Sequence, residues 1–285
     1  MEVTLQVAVA PKPGETVKED DVMMTCQFVM VSLDPTTRKA TKLPATLAET
    51  KDEKALYAAG EKNSQLRKDR LKASLLRQAP NHEEGELIHA IWKKTIQWHD
   101  PNDPERKPDN VHFMDTTKIS TTSVMQPQYR NRHHFMIFGG YLLKQTFELA
   151  FCCAAAFTHA RPTFVALDPS TFENPVPVGS VLYCTATVAY TDPPVLERGS
   201  DSIKGTSLTR IQVRIDTKVR NVEHGETKPT GQFNYTFTVD KDIKVVPRTY
   251  SEFMMWTNGR RRAQDVEKSL ERGDADGGST ERITE

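Results

Sequence analysis

Apolar and polar residues alternate in several short segments of this chain, which is the pattern of half-buried β-strands. These segments are Glu2 to Ala8, Met23 to Leu33, Val111 to Val124, Phe164 to Leu167, Val181 to Tyr190, Arg210 to Val219 and Gln232 to Val239. Tyr141 to Phe157 differs, because it is apolar on nearly every side and so predicts a buried helix. It is too short and too closely flanked by charge for a membrane span. This order of elements predicts an α+β domain with one long central helix wrapped by a curved antiparallel sheet.

Other segments favour helix or disorder. Ala48 to Arg77 is rich in strong helix formers, and Glu83 to Trp98 carries apolar residues at helical spacing. Tyr250 to Gln264 predicts a further short helix. Asp265 to Glu285 has glycine and charge but almost no large apolar residues, so it predicts a disordered tail.

Two pairs of strand segments resemble each other and indicate a weak internal repeat. Glu2 to Ala8 with Met23 to Leu33 is one pair, and Arg210 to Val219 with Gln232 to Val239 is the other. The apolar helix precedes the second pair, whereas nothing comparable precedes the first. The pattern therefore predicts that the sequence starts partway through a first domain.

Composition and cysteine spacing argue against some classes of function. Lys plus Arg and Asp plus Glu number 38 each, which gives no reason to expect nucleic acid. The four cysteines show no paired spacing, which indicates reduced, intracellular usage, and no metal-binding motif is present. No signal or transit peptide is visible, since Met1 runs directly into a strand pattern.

Gly139 and Gly140 stand at the start of the apolar helix. They lack the Cβ atoms that would crowd a ligand, and a helix start offers free N–H groups and positive dipole. Such a place suits a phosphate, a carboxylate or a developing oxyanion.

Three ordered blocks carry a family resemblance: PQYRN from Pro127, IFGGYLLKQTFELA from Ile137, and RPTFVALDPSTFENPVPVGSVLY from Arg161. They resemble the second hotdog domain of the nine/ten type of acyl-coenzyme A thioesterases, which are mitochondrial double-hotdog enzymes. The sequence of these blocks is most similar to the fungal members. FVMVSLD from Phe28 and PRTY from Pro247 extend the resemblance to roughly residues 1–262.

The resemblance implies one complete hotdog domain and one partial domain. It divides the chain into the C-terminal part of a first hotdog domain (1–47), a helical linker (48–109), a complete second hotdog domain (110–247), a C-terminal helix (248–264) and the disordered tail (265–285).

The resemblance also implies catalytic residues. An Asn in the loop of Asn131 orients a water or the thioester, and Gly139 and Gly140 stabilise the developing oxyanion. The interval from Asn131 to Gly140 is one residue longer than usual, so His133 or His134 stays open for the position. The alternative role of Asn131 is a local turn or cap.

Glu148 is the candidate general base or nucleophile, because a carboxylate in an apolar helix is costly to bury without a role. The usual acid of the family lies one residue earlier, where this chain has Phe147. The alternatives are an ion pair between Glu148 and Lys144, or an acid supplied by the first domain.

For the phosphates of coenzyme A, Arg130, Arg132 and Arg161 are candidate contacts, with solvated surface positions as the alternative. The run from Arg260 to Arg262 could bind phosphate or close a helix.

The predicted function is hydrolysis of fatty acyl-coenzyme A, with a non-catalytic acyl-coenzyme A binding or scaffolding protein as the alternative. The resemblance implies a mitochondrial location, homo-oligomers joined through hotdog sheets, and no metal or redox cofactor.

Overall fold

The structure is a computed structural model that describes residues 2–10, 12, 14, 16–18, 21–32, 34, 37, 39–44, 46–100, 102, 105–132, 136–195 and 208–276, with side chains to 267 in the last helix. The chain divides into two compact units, Met1–Gln78 and Ala79–Glu285. The division falls inside the segment predicted as one linker, 48–109. The assignment of 1–47 to a partial hotdog domain stays a prediction.

The first unit holds a two-stranded hairpin and one helix. Strands β1 (Glu2–Ala8) and β2 (Val22–Val29) are antiparallel, and α1 spans Lys51–Lys72. The carboxylate of Glu2 joins the hairpin to α1 by accepting hydrogen bonds from Asn63 (2.8 Å) and Arg67 (2.9 Å). None of the described residues in this unit is buried. The hairpin therefore has no hydrophobic core of its own.

The second unit is built on one antiparallel sheet. The strands of this unit are β3 (Val111–Phe113), β4 (Ile119–Val124), β5 (Thr163–Leu167), β6 (Thr171–Phe172), β7 (Val181–Asp192), β8 (Leu208–Arg220), β9 (Thr227–Asp240) and β10 (Lys244–Val246). The main sheet has the order β4-β7-β8-β9-β5, and β6 pairs with β9 beside β5. Strands β3 and β10 form a separate parallel pair.

One helix, α3 (Gly139–Thr158), lies across this sheet and closes the core. Its sheet-facing side packs on aromatic residues of β9, and Phe147 meets the rings of Tyr235 and Phe237. This central helix on an antiparallel sheet confirms the predicted α+β class and the hotdog arrangement.

The prediction that α3 is buried on all sides is wrong for one face. That exposed stripe is Lys144, Glu148, Cys152 and Ala156. Each follows the last by four residues, so they share one side of the helix. Cys152 and Ala156 make this face look apolar in the sequence, but such small side chains do not need to be buried.

Two further helices belong to the second unit: α2 (His82–Gln97) and α4 (Tyr250–Asp276). Trp256 of α4 packs edge-on against Tyr190 of β7, with ring centres 5.2 Å apart. The predicted end of this helix at residue 264 and the predicted disorder of 265–276 are wrong, because Ala, Glu, Lys and Leu there favour helix. Residues 277–285 lie outside the described part.

Within the described residues, no helix is both long and apolar enough to cross a membrane. Residues 196–207, between β7 and β8, lie outside the described part of the chain.

Candidate functional site

The loop before α3 folds back on itself, so that residues 129–131 lie beside residues 136–138. The amide of Asn131 donates to the carbonyl of Met136 (2.6 Å), and the amide of Phe138 donates to the carbonyl of Tyr129 (2.8 Å). These two bonds place the Asn131 backbone beside the residues that lead directly into α3.

The first turn of α3 has unused backbone donors. Phe138 occupies the N-cap position and makes no side-chain cap, while the amides of Tyr141 and Leu142 both donate to its carbonyl. The amides of Gly139 and Gly140 come before these, and no acceptor for them is found among the described residues. Two free N–H groups at a helix start form an anion-binding position.

The side chain of Asn131 is exposed, and no hydrogen-bond partner for it is found in the described part of the chain. The expected local cap by this side chain is therefore absent from the described contacts. His133 and His134 lie outside the described residues, so the choice between them and Asn131 stays open. The joint role of Asn131 and the glycine pair in catalysis stays a prediction.

Two phenyl rings flank the glycine pair. A Cβ atom on Gly139 would lie 3.4 Å from the ring of Phe172, and one on Gly140 would lie 3.0 Å from Cζ of Phe138 and nearer still to Cε1. Sequence reasoning missed both rings. Phe138 could have been noticed as an aromatic N-cap, whereas only the pairing of β6 with β9 brings Phe172 to this place.

A stacked pair of tyrosines also borders the site. The rings of Tyr129 and Tyr141 lie 3.8 Å apart at 14°. Partial burial, and then the neighbouring Tyr129, raise the pKa of Tyr141 above its ordinary value. The hydroxyl of Tyr141 therefore stays protonated at neutral pH and acts as a neutral polar group.

Glu148 is not buried, which corrects the premise on which it was singled out. Its side chain is 53% exposed and forms an ion pair with Lys144 (3.6 Å). Gln145 donates a further hydrogen bond to it (3.2 Å). The predicted alternative, an i,i+4 pair on a solvated face, is what the structure contains, and a catalytic role is now a proposal that geometry must support.

That geometry is compatible with an action at the start of α3. The Cα of Glu148 lies about 12 Å along the axis beyond Gly140, from eight residues of helix. Helical side chains lean toward the N-terminus, and the contacts of Glu148 with Lys144 and Gln145 follow that direction.

The basic candidates divide by position. Arg130 forms an isolated bridge with Ile137, so Arg130 and its neighbour Arg132 lie in the loop that enters α3. Both are exposed. Arg161 follows the opposite end of α3, and the 20 residues of that helix span about 30 Å. The structure therefore does not bring Arg161 to the glycine pair.

Arg260, Arg261 and Arg262 are engaged elsewhere. They pair with Glu83 (3.0 Å), Glu84 (2.6 Å) and Asp168 (3.2 Å), respectively. These pairs join α4 to α2 and to the segment after β5. The possible phosphate-binding role of this arginine run is therefore not supported.

The cysteines of α3 have separate environments. Cys153 is buried, donates to the carbonyl of Thr117 (3.3 Å), and burial raises the pKa of its thiol to about 12. Burial likewise raises the pKa of Cys184 to about 11. Both behave as core residues, whereas Cys152 is exposed. The described residues contain no cluster of three or more His, Cys, Asp or Glu that could hold a metal ion.

The fold defines a hotdog domain whose central helix begins at a glycine pair. No protein-family model matches the chain. It is 30% identical over 244 residues to mouse mitochondrial acyl-coenzyme A thioesterase 10 and to human mitochondrial acyl-coenzyme A thioesterase 9, covering 84% of this chain and 51% of each relative. A chloroplastic acyl-coenzyme A thioesterase 2 of Humulus lupulus is 30% identical over 250 residues, 88% of this chain and 54% of the relative.

The resemblance inferred from the sequence is thus confirmed: the chain is similar to the mitochondrial acyl-coenzyme A thioesterases 9 and 10. It spans about half the length of these relatives. Among solved structures, an acyl-CoA hydrolase from Staphylococcus aureus in complex with butyryl coenzyme A and coenzyme A is 21% identical, with a TM-score of 0.45 and coverage of 58% of this chain and 98% of that one. An acyl-CoA hydrolase from Bacillus cereus is 18% identical, with a TM-score of 0.47 and coverage of 59% and 98%.

Proposed function

We propose that this protein hydrolyses fatty acyl-coenzyme A to a free fatty acid and coenzyme A. The observation that carries the proposal is the similarity to acyl-coenzyme A thioesterases over 84% of the chain, which includes the loop of Asn131 and the glycine pair. The free amides of Gly139 and Gly140 support it, because thioester hydrolysis needs donors where negative charge develops.

In the proposed reaction, water attacks the carbonyl carbon of the thioester. A carbon–oxygen bond forms, the carbonyl oxygen becomes an oxyanion, and the Gly139 and Gly140 amides donate to it. The carbon–sulfur bond then breaks, and the thiolate of coenzyme A takes up the proton that the water released. Loss of one such oxyanion donor costs about 3 kcal/mol of transition-state stabilisation.

The remaining residues have proposed positioning and proton-transfer roles. The side-chain amide of Asn131 orients the water or the thioester beside the helix start. Glu148, the one carboxylate of α3, accepts the proton of the attacking water. To do so it must exchange its ion pair with Lys144 for the water. Arg130 and Arg132 contact the phosphates of coenzyme A.

The second candidate function is acyl-coenzyme A binding without catalysis. One observation favours it: the carboxylate of Glu148 is solvated and is already engaged in an ion pair with Lys144. Such a protein would keep the helix-start site and release no coenzyme A.

The two functions separate in one experiment on the full chain. Butanoyl-coenzyme A and longer esters are added, and free thiol release is followed with a thiol reagent against the background of the protein's own cysteines. Binding is measured in parallel by calorimetry. Binding with turnover supports the thioesterase, binding without turnover supports the second function, and no binding contradicts both.

Two further properties follow from the relatives as proposals. The thioesterases 9 and 10 are named as mitochondrial proteins, and we place this protein in the same compartment. We also propose that it forms homo-oligomers through the edges of its hotdog sheets. Microscopy of the tagged protein, expressed from its natural transcript, tests the compartment. Light scattering of the purified protein tests the oligomeric state.

A further inference from the structure

A small cavity lies directly beneath the first turns of α3. It is lined by Leu142, Thr146, Phe172, Leu182, Thr217, Thr230 and Phe233, and about 10 Å³ of it is free. That is the room of about one water molecule. It begins one turn below the glycine pair, on the side of the helix that faces the sheet.

The polar groups of this cavity are already satisfied. Thr230 donates to Thr217 (2.8 Å), Thr217 donates to the carbonyl of Gly231 (2.9 Å), and Thr146 is hydrogen-bonded to the hydroxyl of Tyr235 (2.7 Å). The lining therefore offers hydrocarbon contact and no unused hydroxyl proton. A cavity of this kind accepts an apolar group in preference to water.

The ring of Phe172 closes the cavity on its outer side. It lies 3.4 Å from the position that a Cβ on Gly139 would take, and its centre is 5.5 Å from that of Phe233. The short strand β6 is held tightly on β9, since a Cβ on Gly231 would stand 2.9 Å from the carbonyl oxygen of Thr171. The backbone of β6 is thus fixed, while the Phe172 side chain is 45% exposed and its ring is free to turn outward.

We propose that the phenyl ring of Phe172 sets the length of acyl chain that the site accepts. A thioester oxygen held at the glycine pair points its acyl group toward this cavity, and the ring limits how far the chain can enter. The inference rests on the proposed acyl-coenzyme A function. It assigns short acyl chains to the wild-type cavity and a specificity role to Phe172.

The chain supplies a matched control in Phe164 of β5. Phe164 is also a phenylalanine on a short strand beside β9 and is 38% exposed, but it does not line the cavity. Its ring packs on Phe147 and Phe237, between α3 and the sheet but away from the cavity lining. An acyl chain that lay against these rings would meet Phe164 and leave Phe172 untouched.

The test compares wild type, Phe172→Ala and Phe164→Ala by calorimetry with coenzyme A and its acetyl, butanoyl, hexanoyl and octanoyl esters. Helix content and melting temperature confirm that each variant is folded. In wild type, affinity should stop rising at a short chain. In Phe172→Ala it should continue to rise by about fourfold for each further buried methylene. Phe164→Ala should follow wild type, and affinity for coenzyme A alone should be equal in all three.

Each other result overturns the inference. Identical chain-length profiles for wild type and Phe172→Ala remove Phe172 from specificity but leave the proposed function intact. A shift in Phe164→Ala instead places the acyl chain against the rings of Phe147 and Phe237. Absence of binding to every ester by folded wild-type protein contradicts the proposed function and this inference together.

Discussion

The ring of Phe138 lies directly over Gly140, so that a Cβ atom at residue 140 would stand 3.0 Å from Cζ of that ring. Phe138 is 56% exposed, and its ring can move outward into solvent. Gly140 therefore lets an aromatic N-cap residue and the free amides of α3 occupy the same small region. A larger residue at position 140 would displace the ring and cover the amides.

We expect Gly140→Val to weaken acyl-coenzyme A binding by at least about tenfold, or about 1.4 kcal/mol, with little change in melting temperature. The reason is obstruction of the helix start, while α3 from Tyr141 onward stays intact. Gly85→Val is the matched control, because Gly85 lies in the first turn of α2 with open space around it. Calorimetry decides: unchanged affinity in folded Gly140→Val removes Gly140 from the site.

The sequence predicted the main elements because their hydrophobic periodicity is strong or, for α1, because their residues are strong helix formers. Strands β1, β7, β8 and β9 and the three longest helices of the sequence pattern appear within a few residues of their predicted bounds. The two-residue strand β6 gave no periodic signal, since it is too short to alternate. Helix α4 extends beyond its predicted end, because a segment of charged helix formers has a composition similar to that of a disordered tail.

The site was predictable only where it is local in sequence. Asn131 and the glycine pair belong to one continuous segment, and the backbone of Asn131 pairs with Met136, shortly before the glycines. Phe172 reaches Gly139 through the pairing of β6 with β9, which no local pattern encodes. The exposure of Glu148 depended on which face of α3 meets the sheet, and an almost wholly apolar helix does not reveal that face.

Gly259 should be required for the packing of α4 on β7. A Cβ on Gly259 would lie 2.7 Å from Cβ of Tyr190, and neither atom is at the free end of a flexible side chain. We expect Gly259→Ala to lower the free energy of unfolding by about 1 to 3 kcal/mol in urea denaturation. Gly85→Ala, at an open helical position, should instead be neutral or stabilising by up to about 1 kcal/mol. Equal stabilities of the two variants would contradict this packing argument.

The pair of Glu84 and Arg261 should make stability depend on pH. Glu84 is 6% exposed and accepts two hydrogen bonds from Arg261 (2.6 and 2.7 Å), which chiefly hold its pKa below the ordinary 4.5. A lowered folded-state pKa stabilises the protein above the unfolded value, and this contribution is lost as the pH falls through the folded-state value.

Glu84→Gln should therefore destabilise the second unit by about 3 kcal/mol at pH 7, because it leaves a partly buried guanidinium without its charge partner. The difference from wild type should shrink below about pH 4.5. The control Glu86→Gln changes an exposed carboxylate one turn away from His82 and should alter stability by less than about 0.5 kcal/mol. A difference for Glu84→Gln that is constant from pH 7 to pH 3 would contradict the assignment.

The exposed apolar residues of the hairpin in the first unit should make it associate or open. Leu5, Val7, Met24 and Phe28 are exposed and lie on one face of it, because Leu5 pairs with Cys26 and Val7 with Met24. An uncovered apolar face on two strands favours association or opening. We expect the chain to self-associate in light scattering, or to show rapid amide exchange and early proteolysis in this hairpin.

Replacing Leu5 and Met24, both on that face, by lysine should suppress the association. Leu76→Lys, at an exposed leucine outside the hairpin, should not. A monodisperse wild-type monomer with protected amides throughout β1 and β2 would show that the hairpin is already covered.

The proposed base gives the sharpest test of catalysis. Glu148→Gln keeps the shape of the side chain but cannot accept a proton, so any turnover should be abolished while acyl-coenzyme A affinity stays within about twofold, less than 0.5 kcal/mol. Lys144→Met removes the ion pair of Glu148 without removing the carboxylate, and it should keep or raise the turnover. Single-turnover thiol release and calorimetry on the same preparations separate the two quantities. Turnover that survives Glu148→Gln would show that another group activates the water, and turnover lost equally in both variants would show that the ion pair, and not the free carboxylate, is what the reaction requires.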